Sequence, residues 1–248
     1  MAEKSIIKRT IKFLYYNFRR PQIKSKRDID ELDDIQTFKD QVKTLKPDAV
    51  FVQGCSIELL THIIQEIRSL NVGLAYNHIQ SDDILKQDTQ FCMLTSLTMI
   101  KKSFIRFEQT LYDRGIIKYV IDTKETINQK PKLLTILTAE LEPSTGIVQR
   151  RHQIDTLKNI TIGDKTPKNQ PVIFFGCTNI PNWQNTVIQP QDWLDAWRET
   201  GNSDSEYTNG MDRMDRIWYW GVDCVKYSTI PINLPKRYFA ILTEFSIC

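Results

Sequence analysis

Residues 171–179 read Pro171-Val172-Ile173-Phe174-Phe175-Gly176-Cys177-Thr178-Asn179. The apolar run from Val172 to Phe175 is what a strand buried on both faces looks like. It ends in Gly176-Cys177-Thr178-Asn179, and the character of the chain turns on the thiol at position 177.

Outward from this strand two periodicities alternate. Residues 6–19 read as a first strand, with Ile11, Phe13 and Tyr15 alternating. Residues 20–30 are charged and read as a loop. Ile35, Phe38, Val42 and Leu45 recur at helical spacing until Pro47 ends the helix. Ala49 to Val52 is a short buried strand. Ser56 can cap a helix with Ile57, Leu60, Ile64, Ile67 and Leu70 on one face and Glu58 at the positive end of its dipole. Residues 88–122 read as antiparallel strands and Leu133 to Leu137 as another. Residues 147–160 read as a helix turning Ile147, Ile154 and Leu157 inward. A Trp-rich helix at Asp192 to Glu199 and a polar loop at Asn202 to Asn209 follow. Strands at Ile217 to Trp220 and Tyr238 to Thr243 close the chain. This mixed order argues against a simple doubly wound sheet and for two packed sheets flanked by helices. With no internal repeat, low-complexity tract or linker, a single domain over residues 1–248 is expected.

Composition narrows the function classes. The net charge of +3, from 33 basic and 30 acidic residues, is too small for a strong nucleic-acid footprint. No stretch approaches the roughly 18–20 apolar residues that span a bilayer. Met1-Ala2-Glu3-Lys4-Ser5 starts no signal-peptide pattern, so an intracellular site, cytoplasmic or nuclear, and no membrane partner are expected. Cys55, Cys92, Cys177, Cys224 and Cys248 are dispersed, with no Cys-x-x-Cys pair. They read as free buried thiols rather than a zinc cluster, with an intermolecular disulfide at Cys248 as the minor alternative.

Six segments in order resemble the endonuclease/exonuclease/phosphatase superfamily, closest to its tyrosyl-DNA phosphodiesterase branch. Tyr15-Tyr16-Asn17 resembles the first-strand Thr-Trp-Asn. Lys46 to Gly54 resembles Pro-Asp-Val-Ile-Phe-Leu-Gln-Glu. Leu137 to Glu142, followed by Arg150-Arg151 and Gln153, resembles Thr-Ser-His-Leu-Glu and its helix. Gly176 to Asn179 resembles the Gly-Asp-Thr-Asn signature. Trp193 to Trp197, Tyr207-Thr208 and Met214 to Ile217 resemble the late Asp-x-Trp, Tyr-Thr and Phe-Asp-Arg-Ile elements. Leu234 to Leu242 resembles the final Pro-Ser-Asp-His segment. The resemblance implies an α+β fold, a four-layer α/β/β/α sandwich of two packed mixed sheets flanked by helices.

In active relatives of this kind a Glu and an Asn hold Mg²⁺, the signature Asp orients the nucleophile and two His residues stabilise phosphate charge. This sequence keeps Asn17 and Asn179. The Glu position is Gly54, the first His is Glu140, the Asp is Cys177, and Ser-Asp-His is Lys236-Arg237-Tyr238. These exchanges reverse the sign of the site's formal charge. Unit charges about 4 Å apart interact by roughly 4 kcal/mol at an effective dielectric of about 20, so a misplaced Arg outweighs an Asn carbonyl. The resemblance therefore implies a degenerate site with no catalytic residue, metal or cofactor, since such groups act as a unit.

Blander readings stand beside sharper ones. Cys177 is a small buried replacement in preference to a nucleophile, which would need a base or cation to lower its pKa. A Glu140–Arg237 salt bridge across the former site is preferred to phosphate binding by Lys236 and Arg237. His62, His78 and His152 read as helix-face or loop residues. Trp193 and Trp197, four apart on the expected helix, and Trp218 and Trp220, alternating on a strand, read as packing rather than a base-stacking platform. The expected function is thus a catalytically inactive phosphodiesterase-fold protein in a structural, self-assembly or protein-interaction role, of the sort a viral matrix or occlusion-body protein performs. The alternatives are a non-hydrolytic phosphate or nucleic-acid binding module, or a divergent Mg²⁺-dependent phosphodiesterase.

Overall fold

In the computed structural model the described residues are 9–18, 27–77, 90–127, 130–143, 146–162, 170–181, 190, 192–200, 208, 212–232 and 239–247. They form twelve strands and four helices: β1 (Arg9–Asn17), α1 (Arg27–Leu45), β2 (Ala49–Cys55), α2 (Ile57–Ser69), β3 (Ala75–Asn77), β4 (Gln90–Thr95), β5 (Thr98–Arg106), β6 (Gly115–Ile127), β7 (Lys130–Glu140), α3 (Ile147–Ile162), β8 (Val172–Cys177), β9 (Leu194–Asp195), α4 (Ala196–Thr200), β10 (Asp215–Trp220), β11 (Asp223–Pro231) and β12 (Phe239–Ile247). Two six-stranded sheets result, ordered β11-β12-β1-β2-β4-β3 and β5-β6-β7-β8-β10-β9. Only β1–β2 and β7–β8 pair in parallel among the described strands.

The period-2 pattern of the strands decides which residues meet between the sheets. Ile11, Phe13 and Tyr15 of β1 point into the inter-sheet core, with Phe51, Ile173, Phe175, Ile217 and Phe245. Leu14 and Tyr16 point the other way, under Phe38 and Val42 of α1 and Leu60, Ile63 and Ile67 of α2. On the far side, Leu137, Ala139, Phe174 and Trp218 lie under Ile154 and Leu157 of α3. Helices thus cover both outer faces, and the architecture is the expected four-layer α+β sandwich. Across its middle Phe51 stacks on Phe175 at 4.4 Å and 18°, with Phe13 5.3 Å from Phe175. Each such buried aromatic contributes about 1.5–3 kcal/mol of transfer free energy.

Local differences from the sequence reading have physical reasons. The first helix begins at Arg27, inside the stretch read as a loop, because a charged segment can extend a helix beyond its apolar stripe. Ser56 caps α2 as expected, its Oγ accepting from Leu59 N at 3.2 Å, but Ile57 is exposed, as is Ile147 at the start of α3. Trp193 and Trp197 do not share a helix. Asp195 ends β9, its carboxylate accepts from Trp197 N and Arg198 N, and α4 starts only there. Trp193 therefore packs in the outer layer and Trp197 against the inter-sheet core. Trp218 and Trp220 do share the outer face. His62 and His152 lie on helices; His78, Trp183 and most of the loop at 202–209 lie outside the described residues.

Candidate functional site

Topology brings one end of each central strand together. Asn17 and Gly54 close the parallel pair β1–β2, Glu140 and Cys177 close β7–β8, and Asp215 opens β10 opposite Cys177. Five of the residues marked by the sequence, Asn17, Gly54, Glu140, Cys177 and Asn179, are therefore at one end of the sandwich. Lys236, Arg237 and Tyr238 lie outside the described residues.

Gly54 sits where the β2–β4 register shifts, and its φ is +79°. This is a β-bulge in the left-handed region that a residue with a Cβ enters only at a cost. Next to it Gln53 is buried, and its Nε2 has no hydrogen-bond partner among the described residues. Tyr15 Oη lies 2.6 Å from Gln53 Oε1 and 3.0 Å from Asp215 Oδ1, one hydroxyl proton between two acceptors. Asn17 Nδ2 donates to the same Asp215 oxygen at 2.8 Å. These bonds tie the two sheets together at the site end. Burial raises the Asp215 pKa above the usual carboxylate range, an effect that the donors Asn17 and Tyr15 partly offset. Burial also raises the Tyr15 phenol, reinforced by the nearby Asp215 charge.

The turn after β8 is held from both sides. Cys177 is buried, and its Sγ lies 3.6 Å from Asn179 Oδ1. Asn179 has φ +52°, a conformation Asn tolerates, and its Nδ2 donates to Leu141 O at 2.7 Å. Thr178 N donates to Met214 O at 2.7 Å. Arg216 donates through Nε to Thr178 Oγ1 at 3.0 Å and through a terminal nitrogen to Ile180 O at 2.6 Å. Burial, then the neighbouring Arg213, lowers the Arg216 pKa to about 9. Gly176 is required by β7: a Cβ there would stand 2.2 Å from Ala139 O.

Glu140 is buried and paired with Arg114, which places one guanidinium nitrogen 2.9 Å from Glu140 Oε1 and donates through the other to Leu141 O. The cation that meets Glu140 thus comes from the loop before β6, whereas the expected partner Arg237 is not described. Sequence reasoning missed Arg114, Asp215 and Tyr15 as site residues. Tyr15 and Asp215 did carry a signal, since both lie in segments of the resemblance, Tyr15-Tyr16-Asn17 and Met214 to Ile217; Arg114, in a loop 26 residues before Glu140, left none.

Mg²⁺ wants near-octahedral oxygen ligation. Gly54 offers no side-chain oxygen, Glu140 is engaged by Arg114, and the Asp215 oxygen nearest Asn17 already accepts hydrogen bonds. Among the described residues no three or more His, Cys, Asp and Glu side chains are grouped to hold a metal. This donor set does not fit the metal that the resemblance implies in active relatives.

No protein-family model matches the chain, and no curated protein matches it in sequence. Solved structures do. TDP2 of D. rerio, complexed with a single-strand DNA product, superposes with a TM-score of 0.69 at 17% identity, covering 96% of this chain and 99% of that one. The catalytic domain of human Nocturnin with a bound sulfate anion gives 0.72 at 15% identity, covering 96% and 95%. A mannosyl-6-phosphatase of Bacteroides thetaiotaomicron gives 0.71 at 14% identity, covering 96% and 100%. With two packed mixed sheets, flanking helices and this likeness over nearly the whole chain, the protein has the endonuclease/exonuclease/phosphatase fold.

Proposed function

We propose that this chain has kept the phosphodiesterase-type sandwich without its metal-dependent hydrolysis, and that it acts through its surface in a structural, self-assembly or protein-interaction role. One observation carries the reading: groups at the site positions are bonded to each other. Asn17 is turned to Asp215, Asn179 to the Leu141 carbonyl, Cys177 to Asn179 and Glu140 to Arg114. An active centre presents preorganised donors and ligands to a substrate. Here they serve the turns and the seam between the sheets. A thiol in place of the carboxylate adds to this, since Cys177 lacks the hard oxygens that Mg²⁺ takes.

The test is turnover. Purified protein with Mg²⁺ is offered a 5′-tyrosyl-linked single-strand oligonucleotide and a small phosphomonoester. No release above the buffer rate is expected. Mg²⁺-dependent release that Asn17→Ala abolishes would overturn the reading in favour of a divergent phosphodiesterase.

A further inference from the structure

Resting on the reading of a protein that works through its surface, we propose that this chain pairs with a second copy of itself through one patch beside the former site. The patch comprises Leu111 and Tyr112 in the β5–β6 hairpin loop and Ile147 and Val148 in the first turn of α3. Leu111, Tyr112 and Val148 are 59%, 52% and 61% exposed. Large apolar side chains held together in water mark an interaction surface more often than isolated ones do.

These side chains are fixed in place. Glu142, fully buried, accepts from Thr110 Oγ1 at 2.6 Å and from Leu111 N at 2.8 Å through one oxygen. Among the described residues its other oxygen meets no hydrogen-bond partner. Gln153 of α3 accepts from Glu142 N at 2.9 Å and donates to Gln109 O at 3.3 Å. Gly146 sits so close that a Cβ there would lie 2.9 Å from Glu142 Cβ. One buried carboxylate therefore anchors both the hairpin loop and the start of α3, and the ordering cost of the patch is met before a partner arrives.

The charges around the patch select the occupant. Arg106 and Asp113 pair with each other within the chain, and exposed Glu108 and Asp155 lie beside exposed Arg151. Both signs together suit an isologous contact, in which a two-fold axis brings each residue opposite its counterpart's neighbour. The acids disfavour a phosphate backbone. With α3 crossing its copy antiparallel near His152, Arg151 of one chain faces Asp155 of the other.

Sedimentation equilibrium of the full chain tests this. A concentration-dependent dimer is expected, weakened roughly tenfold or more by Leu111→Asp with Val148→Asp. Val225→Asp, equally exposed on β11, leaves it unchanged. Arg151→Asp and Asp155→Arg each weaken the dimer, and the two together restore it, as only a self-complementary contact would. A monomer at all concentrations, a dimer indifferent to Leu111 and Val148, or a patch variant that loses single-strand DNA binding instead of self-association overturns the proposal. Hydrolysis assays on the same samples separate this failure from failure of the proposed function: turnover by a dimer sinks only the latter, and an inert monomer sinks only the dimer.

Discussion

Arg114 and Glu140 form a buried ion pair, 2.9 Å apart, in which one guanidinium serves both the Glu140 carboxylate and the Leu141 carbonyl. A hairpin loop thereby supplies the counter-charge for an acid at the end of β7. Breaking such a pair from one side leaves a buried charge uncompensated. Arg114→Met should cost about 3–5 kcal/mol, whereas Arg114→Met with Glu140→Met should cost much less than the two single changes summed. Urea denaturation of the three variants measures the difference; additive losses would show that the two side chains do not interact.

Gly176→Ala tests whether the glycine before Cys177 is kept for packing. Its added Cβ meets backbone, Ala139 O, which cannot turn aside as a side chain could. A loss on the order of 3 kcal/mol is expected, read as a lowered denaturation midpoint. Cys177→Ser, by contrast, changes little in volume, and its loss should be clearly smaller.

Stability should decline at alkaline pH. Burial raises the Cys55 thiol to about 12, Cys224 to about 11 and Cys92 well above its usual value. A raised acid binds its proton more tightly when folded. Its contribution is therefore complete below the ordinary thiol range and is lost as the pH rises through the folded-state value. Each thiol adds a slope of about 1.4 kcal/mol per pH unit in that window. Cys55→Val should flatten the decline between about pH 9 and 12; an unchanged slope in chemical denaturation across that range would refute the assignment.

Asp215→Asn should be tolerated and should raise stability at neutral pH. Burial raises the carboxyl's pKa, against the hydrogen bonds from Asn17, Tyr15, Thr208 and Cys177, so its ionisation works against the fold, while the amide oxygen of the variant can still accept from Asn17 and Tyr15. The sign is that of a raised acid: its contribution is present in acid and lost as the pH rises. The variant's melting temperature should vary less between pH 4 and 7 than that of the parent. A sharp loss of stability in the variant would mean that the ionised carboxylate is what the network needs.

The legible parts of this chain were those in which one signal acts alone. Val172 to Phe175 reads as a covered strand because every residue in it is apolar, and α2 reads as a helix because Ser56 and a clean apolar face agree. β11 escaped notice because only Cys224 and Tyr227 of its nine residues are buried, which leaves a weak alternation among Asp, Lys, Ser and Thr. β9 is two residues long and carries no period. At the site, positions could be matched but partners could not. Arg114 reaches Glu140, and Tyr15 and Asn17 reach Asp215 across some 200 positions of sequence, through a sheet-to-sheet juxtaposition that local patterns do not encode.

The bulge at Gly54 also sets the direction in which this protein can change. Placing a new side chain at a position ordinarily asks for one substitution. With φ at +79°, any residue carrying a Cβ is strained at that position before it can offer an oxygen. A carboxylate there would carry that strain unless the backbone around the β2–β4 bulge relaxed with it. The main chain thus restricts position 54 as much as any side chain does: a glycine fits it freely, and a residue with a Cβ enters it only at a cost.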